Sequence, residues 1–497
     1  MPNVATHADR RPCPTPGPKT PLTAEERLAE IRRFVEARRV NPKFVPGAFG
    51  EFEAELHRRM LELERDLVAE VMRAADVDAE AIEVDGKAHR RVLRSPQTYM
   101  TASGPVVIER WLYKDRSGAD EAHAISPMEQ RLGIVEGFWT ERAAKCALWV
   151  VSQMTPGKAA ELFTRVGNMA PSKSTLDRLP KEVSAQWEAD RANHEAALRD
   201  AIVIPDGAVS VAVSLDGVLA PMEDTRPVEK RGAAAAEGRT SQGPVGYREI
   251  GCATLAFCDA KGDMLGAVRM ARAPEPGKRS LKDSLAAELV AVLAKQPSLR
   301  VVKLADGAAD NWGFLANELP AGIEVLDFFH ATEHLHAAIA AAYGDGTRET
   351  QFRYQSLRDI LRDDPKGVTK VIRALDYLKK THPHSQVIKR AAAYVRRHRH
   401  RMNYAAVKAD GLMIGSGVVE AACKTLVAQR LKLSGMRWGR AGAQAILTAR
   451  GWDQSERFDQ AWARVAALYQ VEVVVLANII ALRPPSSTAP RRAKTSR

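Results

Sequence analysis

From residue 208 onward the chain alternates short apolar segments with amphipathic ones, and this alternation limits the fold more than any other feature. AVSVAVSLDG is a β-branched, continuously apolar run ending at Asp216. REIGCATLAFCDAKGDMLGAVRMAR reads as two strands joined by a turn at Asp259–Asp263. RSLKDSLAAELVAVLAK has helical spacing. RVVKLADGAADNW is a strand that ends at Asp306 and runs into a helix, and IEVLDFFHATEHLHAAIAAA repeats that pattern. Apolar runs of this length, bounded by turn residues, suit strands covered on both faces. The order strand, strand, strand, helix, strand, helix, strand, helix predicts a mixed sheet, with a three-strand meander followed by parallel additions.

That order is the one found in ribonuclease H-like α/β domains, and it spans residues 205–455. A basic helical insertion interrupts it at about 337–410, through TRETQFRYQSLRDILRDDPKGVTKVIRALDYLKK and VIKRAAAYVRRHRHRMNYAAVK. Next comes GSGVVEAACKTLVAQRLKLSGMRWGR, residues 415–440, a helix carrying Glu420 one turn inside its glycine-bearing start. Residues 456–482 read as a further helical run, with VEVVVLANIIAL as an apolar packing piece.

The first half is mostly helical. Residues 1–22 and 483–497 are proline-rich or basic tails expected to be disordered. Thr23, Glu25 and Glu26 open a helix, and a longer one spans about Gly50 to Ala75. Its stripe of Phe52, Leu56, Met60, Leu61, Leu63, Leu67 and Val71 calls for a partner, sooner within the chain than across a dimer seam. Residues 89–113 read as a basic β-hairpin turning at Ser103-Gly104-Pro105, and with the helices before it this completes the 23–120 region. Within 121–204, a helix starting at Thr155-Pro156 and another at Ser172 have the outline of a helix-turn-helix, with Ser174 and Thr175 on the turns that would enter a groove.

A formal charge of +12 on 497 residues argues for a polyanionic partner, nucleic acid first. Five scattered cysteines without a CxxC pair imply a reducing compartment and no disulfide framework. No apolar run reaches a membrane span, and the N-terminus lacks a signal-peptide core, so a cytoplasmic protein is expected.

Asp216 and Asp306 each end an apolar strand and precede a glycine, which leaves room for a metal or substrate at the carboxyl edge of the sheet. With Glu420 they make a set of hard oxygen donors suited to two Mg²⁺ ions, with Mn²⁺ as a substitute, and so to phosphodiester chemistry. Glu324, Asp327 and Glu333 compete for the third place on sequence alone. His330 and His334 share a helix face, but a zinc site needs further ligands. The densest positive run, Arg396, Arg397, His398, Arg399, His400 and Arg401, suits phosphate contact. Lys424, Arg430, Lys432, Arg437 and Trp438 continue a basic track beyond Glu420, where Trp438 either stacks on a base or packs the core.

Together SLDG, LADGAADNW, DFFHATEHL and GSGVVEAACKTLVAQRLKLSGMRW resemble the DDE transposases of bacterial insertion sequences, the ISKra family, with Mutator-like relatives. The resemblance implies that Asp216, Asp306 and Glu420 form the metal-binding triad, with Asp327 and His330 beside it. It implies metal-dependent cleavage at element ends and transfer of the freed 3′-hydroxyl into target DNA by a homodimer or higher oligomer, in a bacterial nucleoid. The rival expectations are a nuclease of the same fold that does not join ends and a DNA-binding regulator without catalysis.

Overall fold

The computed structural model describes residues 23–40, 45–115, 124–223 and 246–476. Both tails and most of the low-complexity loop after Pro221 lie outside these residues.

Thr23 and Glu26 satisfy each other's backbone amides, Glu26 N donating to Thr23 Oγ1 (3.2 Å) and Thr23 N to Glu26 Oε2 (2.8 Å). This capping box starts α1 (Ala24–Val40). Helix α2 (Ala48–Ala74) lies against it, with the Phe34 and Phe52 rings stacked at 5.2 Å and Arg27 paired to Glu62 and Asp66. The intrachain partner covers only part of the α2 stripe. Leu63 is buried, whereas Met60, Leu67 and Val71 are exposed.

β1 (Ala81–Val84), β2 (Lys87–Thr101) and β3 (Gly104–Asp115) follow. β2 and β3 form the expected hairpin, turning where Gly104 takes a φ of 121°. A run of helices comes next: α3 (Pro127–Leu132), α4 (Glu141–Gln153), α5 (Pro156–Val166), α6 (Lys173–Ala189) and α7 (Arg191–Asp200). α5 begins at a Thr155 cap with Pro156 in its first turn, and α6 at a Ser172 cap whose Oγ accepts from Thr175 N (3.1 Å). Ser174 is exposed and Thr175 half-buried, while Leu176, Leu179, Val183 and Trp187 anchor α6 in the core.

The central sheet holds β4 (Ser210–Pro221), β5 (Tyr247–Cys258), β6 (Met264–Arg272), β7 (Arg300–Ala305) and β8 (Ile323–Leu326). Its order is β6-β5-β4-β7-β8. The first three strands form the antiparallel meander, and β7 and β8 add in parallel beside β4. Helix α8 (Arg279–Lys295) makes the crossover to β7, with Leu281, Leu285, Leu289 and Val292 fully buried at helical spacing. α9 (Ala309–Asn317) leads to β8, and α10 (Phe328–Tyr343) leaves it.

The insertion is α11 (Arg348–Asp363), α12 (Gly367–Thr381), α13 (Gln386–His398) and α14 (Tyr404–Ala409). It is no separate lobe, since Leu361, Val371, Leu375, Ile388 and Val395 share one apolar core with β4, β7 and α8. The chain then forms α15 (Gly417–Ala422), a π-helical turn (Cys423–Ala428), α16 (Gln429–Leu431), α17 (Arg440–Gln454) and α18 (Phe458–Ala467). A second core joins these last helices to α4–α6 through Leu148, Leu176, Trp187, Leu447, Trp452 and Trp462.

The helix expected to run to 482 ends at Ala467, and a strand, β9 (Val473–Val475), pairs antiparallel with β1. The β-branched VEVVV run suits a strand edge better than a helix. Val473 packs with Val77, Ile82, Val84 and Tyr113. Residues 477–482 of that apolar piece lie outside the described residues.

Candidate active site

The site is built where β7 and β8 end beside the middle of β4, which does not stop at Asp216 as the sequence suggested but stays paired with β5 as far as Pro221. The parallel register that pairs Ser210 with Arg300 and Ser214 with Leu304 carries Asp216 opposite Asp306 two residues later. β8 pairs Ala305 with Leu326, so Asp306 and Asp327 are the next residues on their strands. Asp327 N donates to Ala305 O (2.8 Å). Adjacent strands run about 4.8 Å apart. Three aspartates therefore follow one another across β4, β7 and β8, at the carboxyl ends of β7 and β8, where open α/β sheets bind ligands.

Each carboxylate is held differently. Asp216 Oδ1 accepts from Gly217 N (2.7 Å). A Cβ at Gly217 would fall 1.9 Å from Glu249 Oε1, so a larger residue there would displace Glu249 from its pair with Lys278 Nζ (2.8 Å). Asp306 Oδ1 accepts from Ala308 N (3.0 Å) and Asn311 Nδ2 (3.4 Å), and Asn311 also reaches Leu215 O, tying the two strands together. Trp312 Nε1 donates to the Asp306 carbonyl, and the Arg401 guanidinium lies 3.8 Å from the Trp312 ring centre while pairing with Glu324 (2.7 Å).

Asp327 is buried and caps α10, accepting from His330 N and from Ser416 N. It thereby fixes the start of α15, where Ser416 Oγ donates to Glu420 Oε1 (3.1 Å). Asp327 orders the helix that carries Glu420. One turn past Glu420, Cys423 Sγ lies 3.7 Å from Asp216 Oδ2, and α15 packs on β4 and β5. Glu420 thus projects within a turn of the Asp216 contact. The π turn that follows is the kind of helix irregularity found at functional sites.

Burial pushes the Asp216 carboxyl above its ordinary range and Asp306 adds repulsion, against the pull of Gly217 N and Lys278. Glu420 is pushed up by loss of hydration and then by Asp327, Asp216 and Glu333. Asp216, Asp306, Asp327 and Glu420 form no salt bridge with a described Lys or Arg. Among the described residues, no three His, Cys, Asp or Glu side chains converge as a ready metal cage. Mg²⁺ commonly uses one or two carboxylates and fills its other positions with phosphate oxygens and water. The Asp216–Asp306 pair fits that demand, with Glu420 a turn away. His330 and His334, at 5.1 Å between ring centres, offer no zinc set.

The basic residues divide. Arg397, Arg399, Lys424, Lys432 and Arg437 are exposed, and Arg396 is exposed but paired with Asp376. Arg401 is held under Trp312 by its pair with Glu324, so the phosphate-binding role expected of it is corrected to bracing the Asp306 turn. Arg430 is likewise corrected. It is 1% exposed and donates to Val151 O (3.3 and 3.4 Å), with burial and Arg450 pushing its pKa down to about 10. Trp438 packs against the second core, its Nε1 donating to Leu431 O (3.1 Å) and Arg430 lying 5.0 Å from its ring, so it favours packing over base stacking.

Cys423, Lys278 and Tyr394 have no role assigned from the sequence, and His398, expected among the phosphate contacts, is instead buried beside Tyr394. Both lie on α13, and nothing local announces that the insertion folds back on the Asp306 turn. The Tyr394–His398 spacing of one turn is the only signal. Among the described residues no helix is long and apolar enough to cross a membrane.

No protein-family model matches the chain, and no curated protein sequence matches it. One similar solved structure is the Drosophila P element transposase strand transfer complex, at 10% identity over 67% of this chain and 82% of that chain, with a TM-score of 0.25. A likeness that slight leaves the residues themselves to carry the functional argument.

Proposed function

We propose that the chain is a DNA transposase of the DDE type, similar to the ISKra family, with a ribonuclease H-like catalytic domain. The observation that supports this is the placement of Asp216 and Asp306 side by side on adjacent parallel strands, with the Glu420 helix laid against β4 and β5. Asp216, Asp306 and Glu420 would hold two Mg²⁺ ions, or Mn²⁺ in their place. Bound metal supplies an activated water or 3′-hydroxyl and stabilises the leaving oxygen. Asp327 fixes the helix that carries Glu420, and Asn311 locks the Asp306 turn to β4. Arg396, Arg397, Arg399, Lys424, Lys432 and Arg437 grip DNA phosphates, and α6 approaches the duplex through its capped N-terminal turn. Joining two element ends calls for a homodimer or higher oligomer acting in the bacterial nucleoid.

The test uses duplexes made from the DNA that flanks the protein's own gene. With Mg²⁺, a pre-cut 3′-hydroxyl end should be joined to target plasmid. Asp216→Asn, Asp306→Asn and Glu420→Gln should each abolish cleavage and joining while DNA binding persists. Near-normal activity in any one variant removes that acid from the centre. Cleavage without joining would indicate a nuclease, and binding without cleavage a regulator.

A further inference from the structure

Tyr394 reaches the Asp306 turn from the insertion with its hydrogen-bonding group unused, and His398 Nδ1 beside it is likewise unpartnered among the described residues. A Cβ on Gly307, the residue after Asp306, would fall 2.4 Å from Tyr394 Cε2 and 2.9 Å from its Oη. The phenol therefore lies directly over the Asp306-Gly307 turn. Its hydroxyl is buried, with no hydrogen-bond partner among the described residues. Imidazoles surround the ring. His334 stacks on it at 4.0 Å, His398 lies at 4.8 Å and His330 at 6.0 Å. α10 and α13 thus clamp the ring from several sides, which fixes where its hydroxyl is.

Folded proteins rarely leave a buried hydroxyl unpaired, and each exception calls for an explanation. Here the surroundings supply one. A phenol is protonated at neutral pH, so the group donates or accepts a hydrogen bond. A phenolate nucleophile is disfavoured for the same reason. Burial pushes the pKa of His334 down, and that of His398 down to about 4.

We propose that Tyr394 is a substrate-contacting residue whose hydroxyl donates to a phosphate oxygen of the DNA strand held at Asp216, Asp306 and Glu420. This rests on the reading of those acids as a DNA-cleaving centre. A phosphodiester drawn to the acids by their metal brings acceptor oxygens beside the Asp306-Gly307 turn that covers the hydroxyl, and a small shift of that turn off the ring lets the hydroxyl donate to them. The insertion would then belong to the active site through one atom of α13, in addition to any phosphate grip from its outer face.

The experiment compares the full chain with its Tyr394→Phe variant. Melting is followed without DNA. Binding of a fluorescein-labelled duplex from the gene's flanking DNA is measured in Ca²⁺, and cleavage of that duplex in Mg²⁺. The variant should melt at the wild-type temperature or above it, because the hydroxyl makes no bond in the free protein. It should cleave roughly 100-fold more slowly and bind roughly 10-fold more weakly. A variant that binds and cleaves like wild type overturns the proposal, and so does one that melts markedly lower, since the hydroxyl is then a structural bond. A wild type that neither binds nor cuts overturns the reading of the acids, and the proposal with it.

Discussion

Asp216 sits among charges of its own sign, and that has a cost measurable without any substrate. Its carboxyl and that of Glu420 are pushed above the ordinary value, chiefly by burial. A carboxyl with a raised folded-state pKa binds its proton more tightly folded than unfolded. Its contribution to stability therefore falls as pH rises from the unfolded value, about 4, through the folded one. Asp216→Asn removes that loss and keeps an oxygen for Gly217 N. The metal-free variant should melt higher than wild type at pH 7, and the gap should shrink toward pH 4. Mg²⁺ should raise the melting temperature of wild type more than that of the variant. Scanning calorimetry across pH, with and without Mg²⁺, decides it, and a gap that does not change with pH would mean that folding does not raise the Asp216 carboxyl. Asp216 and Asp306 were both legible in sequence because a carboxylate followed by glycine at the end of an apolar run is a local pattern. Arg430 was not, because burial is not a local property.

At the scale of elements, the run from Arg396 to Arg401 looks uniform in sequence and splits in space. α13 ends at His398 and a short 3₁₀ turn follows, so successive side chains leave in different directions. Arg397 and Arg399 point outward, while Arg401 turns in under Trp312. Arg401→Ala should lower stability by about 1–3 kcal/mol, as expected when a charged hydrogen-bond partner is removed, and leave the salt dependence of DNA binding unchanged. Replacing Arg397 and Arg399 together with Ala should leave stability unchanged and flatten the slope of log affinity against log salt by roughly 2. Denaturant titration and binding across a salt series separate the two, and the reverse pattern would exchange their roles. The α15 helix was likewise legible as an element. Its π turn, which brings Cys423 onto Asp216, depends on packing against β4 that the sequence does not display.

Across the whole molecule the chain closes on itself. β9 completes the N-terminal sheet in the order β3-β2-β1-β9, and α17 and α18 share a core with α4–α6. A chain ending after Tyr469 should keep the central sheet and lose protection in the first one. Hydrogen exchange should show faster exchange of β1 amides while β4, β5 and β7 stay protected. Unchanged β1 protection would mean β9 contributes nothing to that sheet. The strand–helix order, the turn at Asp259–Asp263, the hairpin and the caps at Thr23, Thr155 and Ser172 were set by the sequence alone, because each depends on side-chain periodicity or on hydrogen bonds three or four residues away. Tertiary structure alone decided that α13 returns over the Asp306 turn, that Arg401 and Arg430 are internal, and that a C-terminal segment pairs with an N-terminal strand. Those outcomes depend on contacts between residues tens to hundreds of positions apart, whose loop-closure entropy and burial are properties of the folded whole and of no window along the chain.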